Sequence, residues 1–188
     1  RLISTTPMND VSQNSNGAMI YQDQKAMEDS FRKHQLSSVA RDIWIRDLDG
    51  QHRRVTNDIS DDREPCWNPT GDGFYFLSER QDNLNVFSKT QAGQVKQLSF
   101  HEKYPVRSLS VSNSGLLCYT QDGLLWTLRA GSSPQKLDIQ LQAERNAVNP
   151  QTIFLNGEAS EMQVSPDSKE IAFIARGEVF VCSAEFGN

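Results

Sequence analysis

The chain has 188 residues, of which 37% are hydrophobic and 23% charged, so it is long enough to bury a core and is not of disordered composition. Its net charge of −5 has the wrong sign for a protein that binds nucleic acid through phosphate contacts, so we expect no nucleic-acid partner. No apolar run approaches the about 20 residues that span a bilayer, so we expect no membrane insertion.

A repeat organises the chain. Residues 42–56 (DIWIRDLDGQHRRVT) align without a gap with residues 85–99 (NVFSKTQAGQVKQLS), and residues 67–77 (WNPTGDGFYFL) with residues 164–174 (VSPDSKEIAFI). Turn formers followed by β-branched and aromatic residues predict a turn and a strand. Units of about 40–45 residues with four such strands are typical of β-propeller blades. We therefore predict an all-β fold, a β-propeller of four-stranded antiparallel blades, with residues 1–188 as one partial domain of about four blades.

The first blade is predicted over residues 5–57, and residues 23–40 (DQKAMEDSFRKHQLSSVA) are an insertion in it. We expect a polar loop or a short helix on one rim, because loops on a rigid scaffold often carry recognition. We expect a solvated rim loop in which the basic side chains pair with the acidic ones, namely Arg32, Lys33 and Arg41 with Glu28, Asp29 and Asp42. The candidate rim interaction residues are Glu28, Asp29, Arg32, Lys33, His34 and Arg41.

The remaining blades are predicted over residues 58–99, 100–139 and 158–188. In the second blade we expect strands at residues 64–67, 74–78, 85–89 and 95–99. Tight hairpins are expected at residues 121–123 (QDG) and 176–178 (RGE), since Asp-Gly and Gly-containing pairs favour short β-turns. Residues 140–157 form a second long connection and a further candidate for recognition.

The two ends are out of phase with the blades. Residues 1–4 (RLIS) match residues 54–57 (RVTN), a fourth strand, whereas the last blade supplies three strands. Residues 1–4 either close a ring of four or are a stray strand of a larger ring that has been cut. We expect the larger ring, because four blades are the lower limit for a propeller. Open blade edges would then favour self-association.

An aromatic residue recurs at one position of each blade, namely Trp44, Phe87, Trp126 and Phe180. Blades pack face to face, so we expect these rings to fill the core between them. The alternative, a stacking platform for bases or sugars, would need exposed rings with basic neighbours.

The insertion also contains His34, Ser37 and Ser38, with Asp29 and Asp42 nearby, so a Ser-His-Asp site has to be weighed. The chain has no GxSxG nucleophile elbow, and a solvated loop of paired charges explains the same residues. We therefore predict no catalytic residue in this chain.

The sequence predicts no metal and no cofactor. The three histidines, His34, His52 and His101, are isolated from one another. Residues 58–64 (DISDDRE) contain four acidic side chains, Asp58, Asp61, Asp62 and Glu64, without calcium-loop spacing, so we interpret this turn as a solvated connection between blades. The odd number of cysteines, Cys66, Cys118 and Cys182, predicts small buried hydrophobes rather than disulfides.

The paired half-blades resemble the repeats of TolB and of tricorn protease propellers, and this resemblance spans almost the whole chain. Residues 28–34 (EDSFRKH) with 37–44 (SSVARDIW), and residues 164–181 (VSPDSKEIAFIARGEVFV), are similar to bacterial tricorn-like serine peptidases. In that family an N-terminal six-bladed propeller precedes a second propeller, a PDZ-like module and a catalytic domain. Thr70 and Ser114 depart from the SPDG pattern of the repeat.

The resemblance implies that this chain is most of the first, six-bladed propeller of a serine peptidase that degrades oligopeptides. The chain itself would be non-catalytic and would serve substrate access, gating or docking, with peptides or the parent enzyme's other domains as partners. The alternative is a TolB-like propeller that acts as a protein interaction module in the cell envelope. A propeller lyase or dipeptidyl peptidase would need metal histidines or a partner domain. The resemblance favours a periplasmic parent and leaves a cytoplasmic one open.

Overall fold

The computed structural model describes residues 4–26, 31–34, 36–140, 154 and 157–185, and these form β-strands and loops without a helix. Accordingly, the described part of the chain holds no helix that is long and apolar enough to cross a membrane. The chain divides into two compact units, Arg1–Ile139 and Gln140–Asn188.

The first unit contains three antiparallel sheets, each of four strands in chain order. The first sheet is formed by β1 (Met8–Gln13), β2 (Met19–Asp23), β3 (Ile43–Arg46) and β4 (His52–Arg54). The second is formed by β5 (Asp62–Trp67), β6 (Gly73–Ser78), β7 (Asn85–Thr90) and β8 (Val95–Gln97). The third is formed by β9 (Val106–Val111), β10 (Leu117–Gln121), β11 (Leu124–Leu128) and β12 (Gln135–Lys136).

The second unit contains one sheet in the described residues, β13 (Ala159–Val164), β14 (Glu170–Ala175) and β15 (Glu178–Ser183), in that order. Phe180 stacks on Phe173 across the β14–β15 pair, with ring centroids 5.6 Å apart. The predicted stray strand, residues 1–4, falls outside the described residues except for Ser4, and so does most of the long connection 140–157.

Two hairpins are closed by two-residue turns. Gln121 pairs with Leu124, and the intervening Asp122 and Gly123 have φ of 53° and 69°. In the second unit Arg176 and Gly177, between Ala175 and Glu178, have φ of 54° and 82°. Two left-handed residues match the right-handed twist of the flanking strands, as in a type I′ turn. Both predicted tight hairpins are confirmed.

The middle sheet is covered on both faces. Side chains alternate along β6, so that Phe74 and Phe76 pack towards β2 and β3 while Tyr75 and Leu77 pack towards β9 and β10. Both faces therefore contribute to a core, and every residue of β6 is buried.

The recurring aromatic residues are not equally buried. Phe87 of the middle sheet is 3% exposed, as predicted, whereas Trp44 and Trp126 are half-buried and Phe180 is 39% exposed. Trp44 alternates with the core residues Ile43 and Ile45 and so lies on the other face of β3. The expectation that all four rings are core is therefore wrong for Phe180 and only partly right for the tryptophans.

Cys66 is buried, Cys118 and Cys182 are half-buried, and all three are free thiols. Burial, with a smaller contribution from the charge of Glu64, raises the pKa of the Cys66 thiol to about 12. It is a thiol rather than a reactive thiolate at neutral pH.

Candidate functional site

A groove runs along the first strands of the three sheets in the first unit. Each of these strands, β1, β5 and β9, is the edge of its sheet. Together they enclose a cavity of about 470 Å³. Its lining residues are Asp10, Val11, Ser12, Glu64, Pro65, Cys66, Ser108, Leu109, Ser110 and Val111. We call this cavity the inner groove.

Each strand of the inner groove carries a β-bulge. The pairing shifts in β1–β2, in β5–β6 and in β9–β10, and in each strand one non-glycine residue is left-handed: Asp10 (φ 48°), Glu64 (φ 50°) and Ser108 (φ 56°). A bulge leaves its extra residue unpaired and redirects its side chain. The first strand of the last sheet, β13, has the same bulge at Glu161 (φ 50°), so the bulge is a feature of the repeat. In the first unit it brings three unpaired residues, Asp10, Glu64 and Ser108, to one groove, which we take as the candidate site.

Glu64 connects the three sheets. Its backbone N–H donates to Oε1 of Gln22 on β2 at 2.9 Å, and its Oε2 accepts from the N–H of Leu109 on β9 at 2.8 Å. Burial raises the pKa of the Glu64 carboxyl, and the negative charge of Asp10 adds to the effect. The lining of the inner groove thus contains two carboxylates and no lysine or arginine.

A buried charge cluster ties the end of the insertion to the second sheet. Asp61, 1% exposed, accepts hydrogen bonds from the backbone N–H and from Nη1 of Arg41 at 2.8 and 2.9 Å. Nε of Arg63 lies 3.1 Å from the same carboxylate. Arg41, expected in a solvated loop, is buried, and it pairs with Asp61, 20 positions away along the chain.

A second ion pair lies beside the first. Nη2 of Arg80 donates to both carboxylate oxygens of Asp62 at 3.0 Å, and its guanidinium lies 5.2 Å from the ring centroids of Phe76 and Phe87. Burial raises the pKa of Asp62 despite the opposing charge of Arg80. Asp61 and Asp62 are both buried, so the interpretation of residues 58–64 as a solvated connection is wrong for them.

The insertion reaches the third sheet. Phe31, 74% exposed, lies under the guanidinium of Arg107 on β9, with 4.9 Å between Cζ and the ring centroid. Nη2 of Arg107 also donates to the Phe31 carbonyl oxygen at 3.3 Å. A segment that leaves the first sheet therefore contacts a strand of the inner groove in the third. We call this contact the clasp.

Three of the candidate rim residues, Arg32, Lys33 and His34, are exposed beside the clasp, in a segment without helix where it is described. Arg41 is buried and structural, and Glu28 and Asp29 lie outside the described residues. The role of this loop in recognition stays a prediction. Sequence reasoning overlooked Phe31 and Arg107 because no local pattern joins them.

The structure gives Asp42, one of the residues considered for a Ser-His-Asp site, a different role. Asp42 is buried and pairs with Nζ of Lys25 at 2.7 Å and with Nη2 of Arg54 at 3.1 Å. His52 and His101 each bond a tyrosine hydroxyl, Tyr21 at 2.7 Å and Tyr119 at 3.0 Å. In the described parts of the chain no three metal-ligating side chains come together.

Comparisons with solved structures show the fold. The tricorn protease superposes with a TM-score of 0.57 at 16% identity, over 90% of this chain and 16% of that chain. TolB from Acinetobacter baumannii gives 0.55 at 17% identity, over 94% of this chain and 41% of that one. The gluconolactonase XC5397 from Xanthomonas campestris gives 0.53 at 9% identity, over 96% and 58%.

At these sequence identities the comparisons show the fold alone. The chain is all-β and its sheets are β-propeller blades, as predicted, and it spans less than two thirds of each of these structures. No protein-family model and no curated protein matches the sequence. Proteins with this fold have unrelated activities, so function has to be argued from the site.

Proposed function

We propose that this chain is the non-catalytic propeller region of a tricorn-like serine peptidase and that its inner groove admits or docks oligopeptides. The observation that carries the proposal is the convergence of three bulged edge strands on one cavity of about 470 Å³. A cavity of this size takes a few residues of extended peptide. The fold shared with the tricorn protease and the resemblance of residues 28–34, 37–44 and 164–181 to that family support it.

The charges of the inner groove indicate which peptides it takes. The lining contains the carboxylates of Asp10 and Glu64 and no basic side chain, although the charges of Arg63 and Arg107, outside the lining, also act on Glu64. A carboxylate stabilises an ammonium or guanidinium group more strongly in a partly desolvated groove than in water. We therefore expect a preference for peptides with a free amino terminus or a basic residue.

The clasp connects the insertion to the inner groove and so gives it a role in the access of peptides to that groove. Phe31 and Arg107 join residues of the insertion to β9, whose later residues Ser108, Leu109 and Ser110 line the inner groove. Movement of the insertion would therefore be transmitted through β9 to the inner groove. This is the basis on which we assign gating or docking, rather than bond cleavage, to the chain.

The second candidate is a TolB-like propeller that binds a segment of a partner protein. It is favoured by the fit to Acinetobacter TolB, whose TM-score of 0.55 is close to that of the tricorn protease. Both candidates use the inner groove for an extended segment. They differ in the chain that follows, so sequencing the gene beyond residue 188 separates them: a PDZ-like module and a serine-containing catalytic domain support the peptidase, and a stop soon after a closing blade supports TolB.

The groove itself is tested by Val11→Lys, which places a cation among its carboxylates. Val11 is 48% exposed, and the matched control is Val95→Lys on the outer strand β8, where the valine is 40% exposed. The probe is a fluorescein-labelled decapeptide with a free amino terminus and two lysines. We expect Val11→Lys to weaken binding about tenfold, measured by fluorescence anisotropy, and Val95→Lys to leave it unchanged. Equal binding by both variants would refute the groove as the site.

A further inference from the structure

A second cavity lies between the first and second sheets of the first unit. Its volume is about 460 Å³, and it shares no lining residue with the inner groove. The strands around it are β3 and β4 on one side and the ends of β5, β6 and β7 on the other. Its lining residues are Ile45, Arg53, Arg54, Val55, Trp67, Gly73, Phe74, Lys89, Thr90, Gln91 and Gly93. We call it the inter-sheet cavity.

The inter-sheet cavity has the opposite charge to the inner groove. Its lining contains Arg53, Arg54 and Lys89 and no acidic residue. Arg53 uses Nε for the carboxylate of Asp47 at 3.0 Å, and Lys89 uses one N–H for the Val55 carbonyl oxygen at 2.6 Å. The guanidinium Nη groups of Arg53 and the remaining ammonium N–H groups of Lys89 therefore stay available as donors.

The wall of the inter-sheet cavity is apolar and aromatic. Ile45, Trp67 and Phe74 are 4%, 9% and 5% exposed and belong to the core between the first two sheets. The indole Nε1 of Trp67 is buried without a hydrogen-bond partner. An orphaned buried donor costs about 1–3 kcal/mol, so a ligand acceptor that met it would recover that cost.

We propose that the inter-sheet cavity binds an organic anion, a carboxylate carried on an apolar group. Arg53 and Lys89 would hold the carboxylate by charge-assisted hydrogen bonds, and the wall of Ile45, Trp67 and Phe74 would take the apolar group. The C-terminal residue of a peptide and a free aliphatic acid share this chemistry. The site is independent of the proposed function, because it lies outside the inner groove and has the opposite charge.

Binding is tested with N-acetyl-L-leucine as the carboxylate probe and N-acetyl-L-leucinamide as its neutral analogue. Titration calorimetry with the 188-residue chain is expected to show binding of the acid and at least tenfold weaker binding of the amide, since one charge-assisted hydrogen bond accounts for about one power of ten. Equal affinities would overturn the proposal. Inorganic phosphate binding as tightly as the acid would also overturn it, because the apolar wall would then contribute nothing.

Two variants separate binding from folding. Lys89→Met keeps the length of a partly buried side chain, and Arg53→Gln changes one that is 57% exposed and so spares the fold. Each variant is expected to weaken the binding of N-acetyl-L-leucine about tenfold. The control Lys96→Met changes an exposed lysine of β8 and is expected to leave binding unchanged. Unchanged affinity in Arg53→Gln and in a folded Lys89→Met would overturn the assignment.

A third probe distinguishes the two sources of the carboxylate, a peptide C-terminus and a free aliphatic acid. The tripeptide Ala-Ala-Leu with a free C-terminus is compared with N-acetyl-L-leucine, and its C-terminal amide is the control. Tighter binding of the tripeptide than of the single residue supports a peptide C-terminus, and equal binding supports a small acid. Loss of the tripeptide's binding on amidation supports the site in both cases, and binding that survives amidation overturns it.

Discussion

The guanidinium of Arg107 covers the ring of Phe31 at 4.9 Å and donates to its carbonyl oxygen at 3.3 Å, so a residue of the first blade's insertion rests on the inner strand of the third blade. The contact is exposed, with Phe31 at 74%, and cation–π pairs at such sites contribute about 0.5–1 kcal/mol. It can therefore open and close without unfolding the sheets.

The clasp predicts protection of the adjoining basic residues from trypsin. Phe31→Ala removes the ring that Arg107 covers, so we expect cleavage after Arg32 and Lys33 to become about two- to fivefold faster, in line with an opening free energy of about 0.5–1 kcal/mol. Limited trypsin digestion followed by mass spectrometry measures the rate. The control is Phe100→Ala, a ring that is 71% exposed and is not part of the clasp. An unchanged rate in Phe31→Ala would contradict the clasp.

The buried charge cluster predicts a large difference between two Asp→Asn changes. Asp61→Asn removes the buried carboxylate that Arg41 and Arg63 both contact, and we expect it to lower the free energy of unfolding by about 3–5 kcal/mol. Asp47→Asn breaks an exposed pair with Arg53 and is expected to cost about 1 kcal/mol or less. Urea unfolding followed by tryptophan fluorescence measures both. Similar losses in the two variants would show that Asp61 is not electrostatically special.

The raised pKa of Glu64 predicts that the stability difference between the Glu64→Gln variant and the unmodified chain depends on pH. The folded chain raises the pKa of its carboxyl above the ordinary value of 4.5, chiefly by burial, so ionisation is disfavoured in the folded state. The stability that Glu64 contributes is present below about pH 4.5 and is lost as the pH rises through the folded pKa. Glu64→Gln, which still has an oxygen to accept from the Leu109 N–H, should therefore be more stable relative to the unmodified chain at pH 7 than at pH 4.

The measurement is urea unfolding of both proteins at the two pH values. Glu102→Gln, at an exposed position in the loop before β9, is the control and is expected to show no such difference. A Glu64→Gln variant whose relative stability falls between pH 4 and pH 7 would mean that the carboxylate is stabilising in the folded state.

The aromatic positions predict unequal costs for the same truncation. Phe87→Ala removes a ring that is 3% exposed and packed against Phe76, so we expect a loss of about 3–5 kcal/mol. Trp44→Ala removes a half-buried ring and the hydrogen bond from its Nε1 to Asp23, and we expect about 2 kcal/mol. Chemical denaturation compares them, and a larger loss at Trp44 would refute the burial that distinguishes the two positions.

The strands could be predicted from sequence because their signals are local. Predicted strands at residues 74–78 and 85–89 correspond to Gly73–Ser78 and Asn85–Thr90, since turn residues and alternating apolar side chains lie within the same few positions. The repeat then fixed the order of strands within each sheet, because neighbouring strands are consecutive in the chain.

The inner groove, the clasp and the charge cluster could not be predicted. Asp10, Glu64 and Ser108 are three different residue types, and their common bulge becomes visible only when the strand pairing is known. Asp61, which pairs with Arg41, is 20 positions away along the chain, so reasoning from sequence proximity does not find this contact. Contacts of this kind depend on how the sheets of the unit pack and leave no local pattern.

The order of the strands also bears on how the molecule reaches its structure. Within each sheet of the first unit every hydrogen-bonded neighbour is also the next strand along the chain. Only short loops have to close before a sheet can form, apart from the longer segment between β2 and β3. Topologies with such short sequence separations fold faster than β-sandwiches with distant pairings, so strands within a sheet can pair early, and the cores between the sheets form when neighbouring sheets pack together.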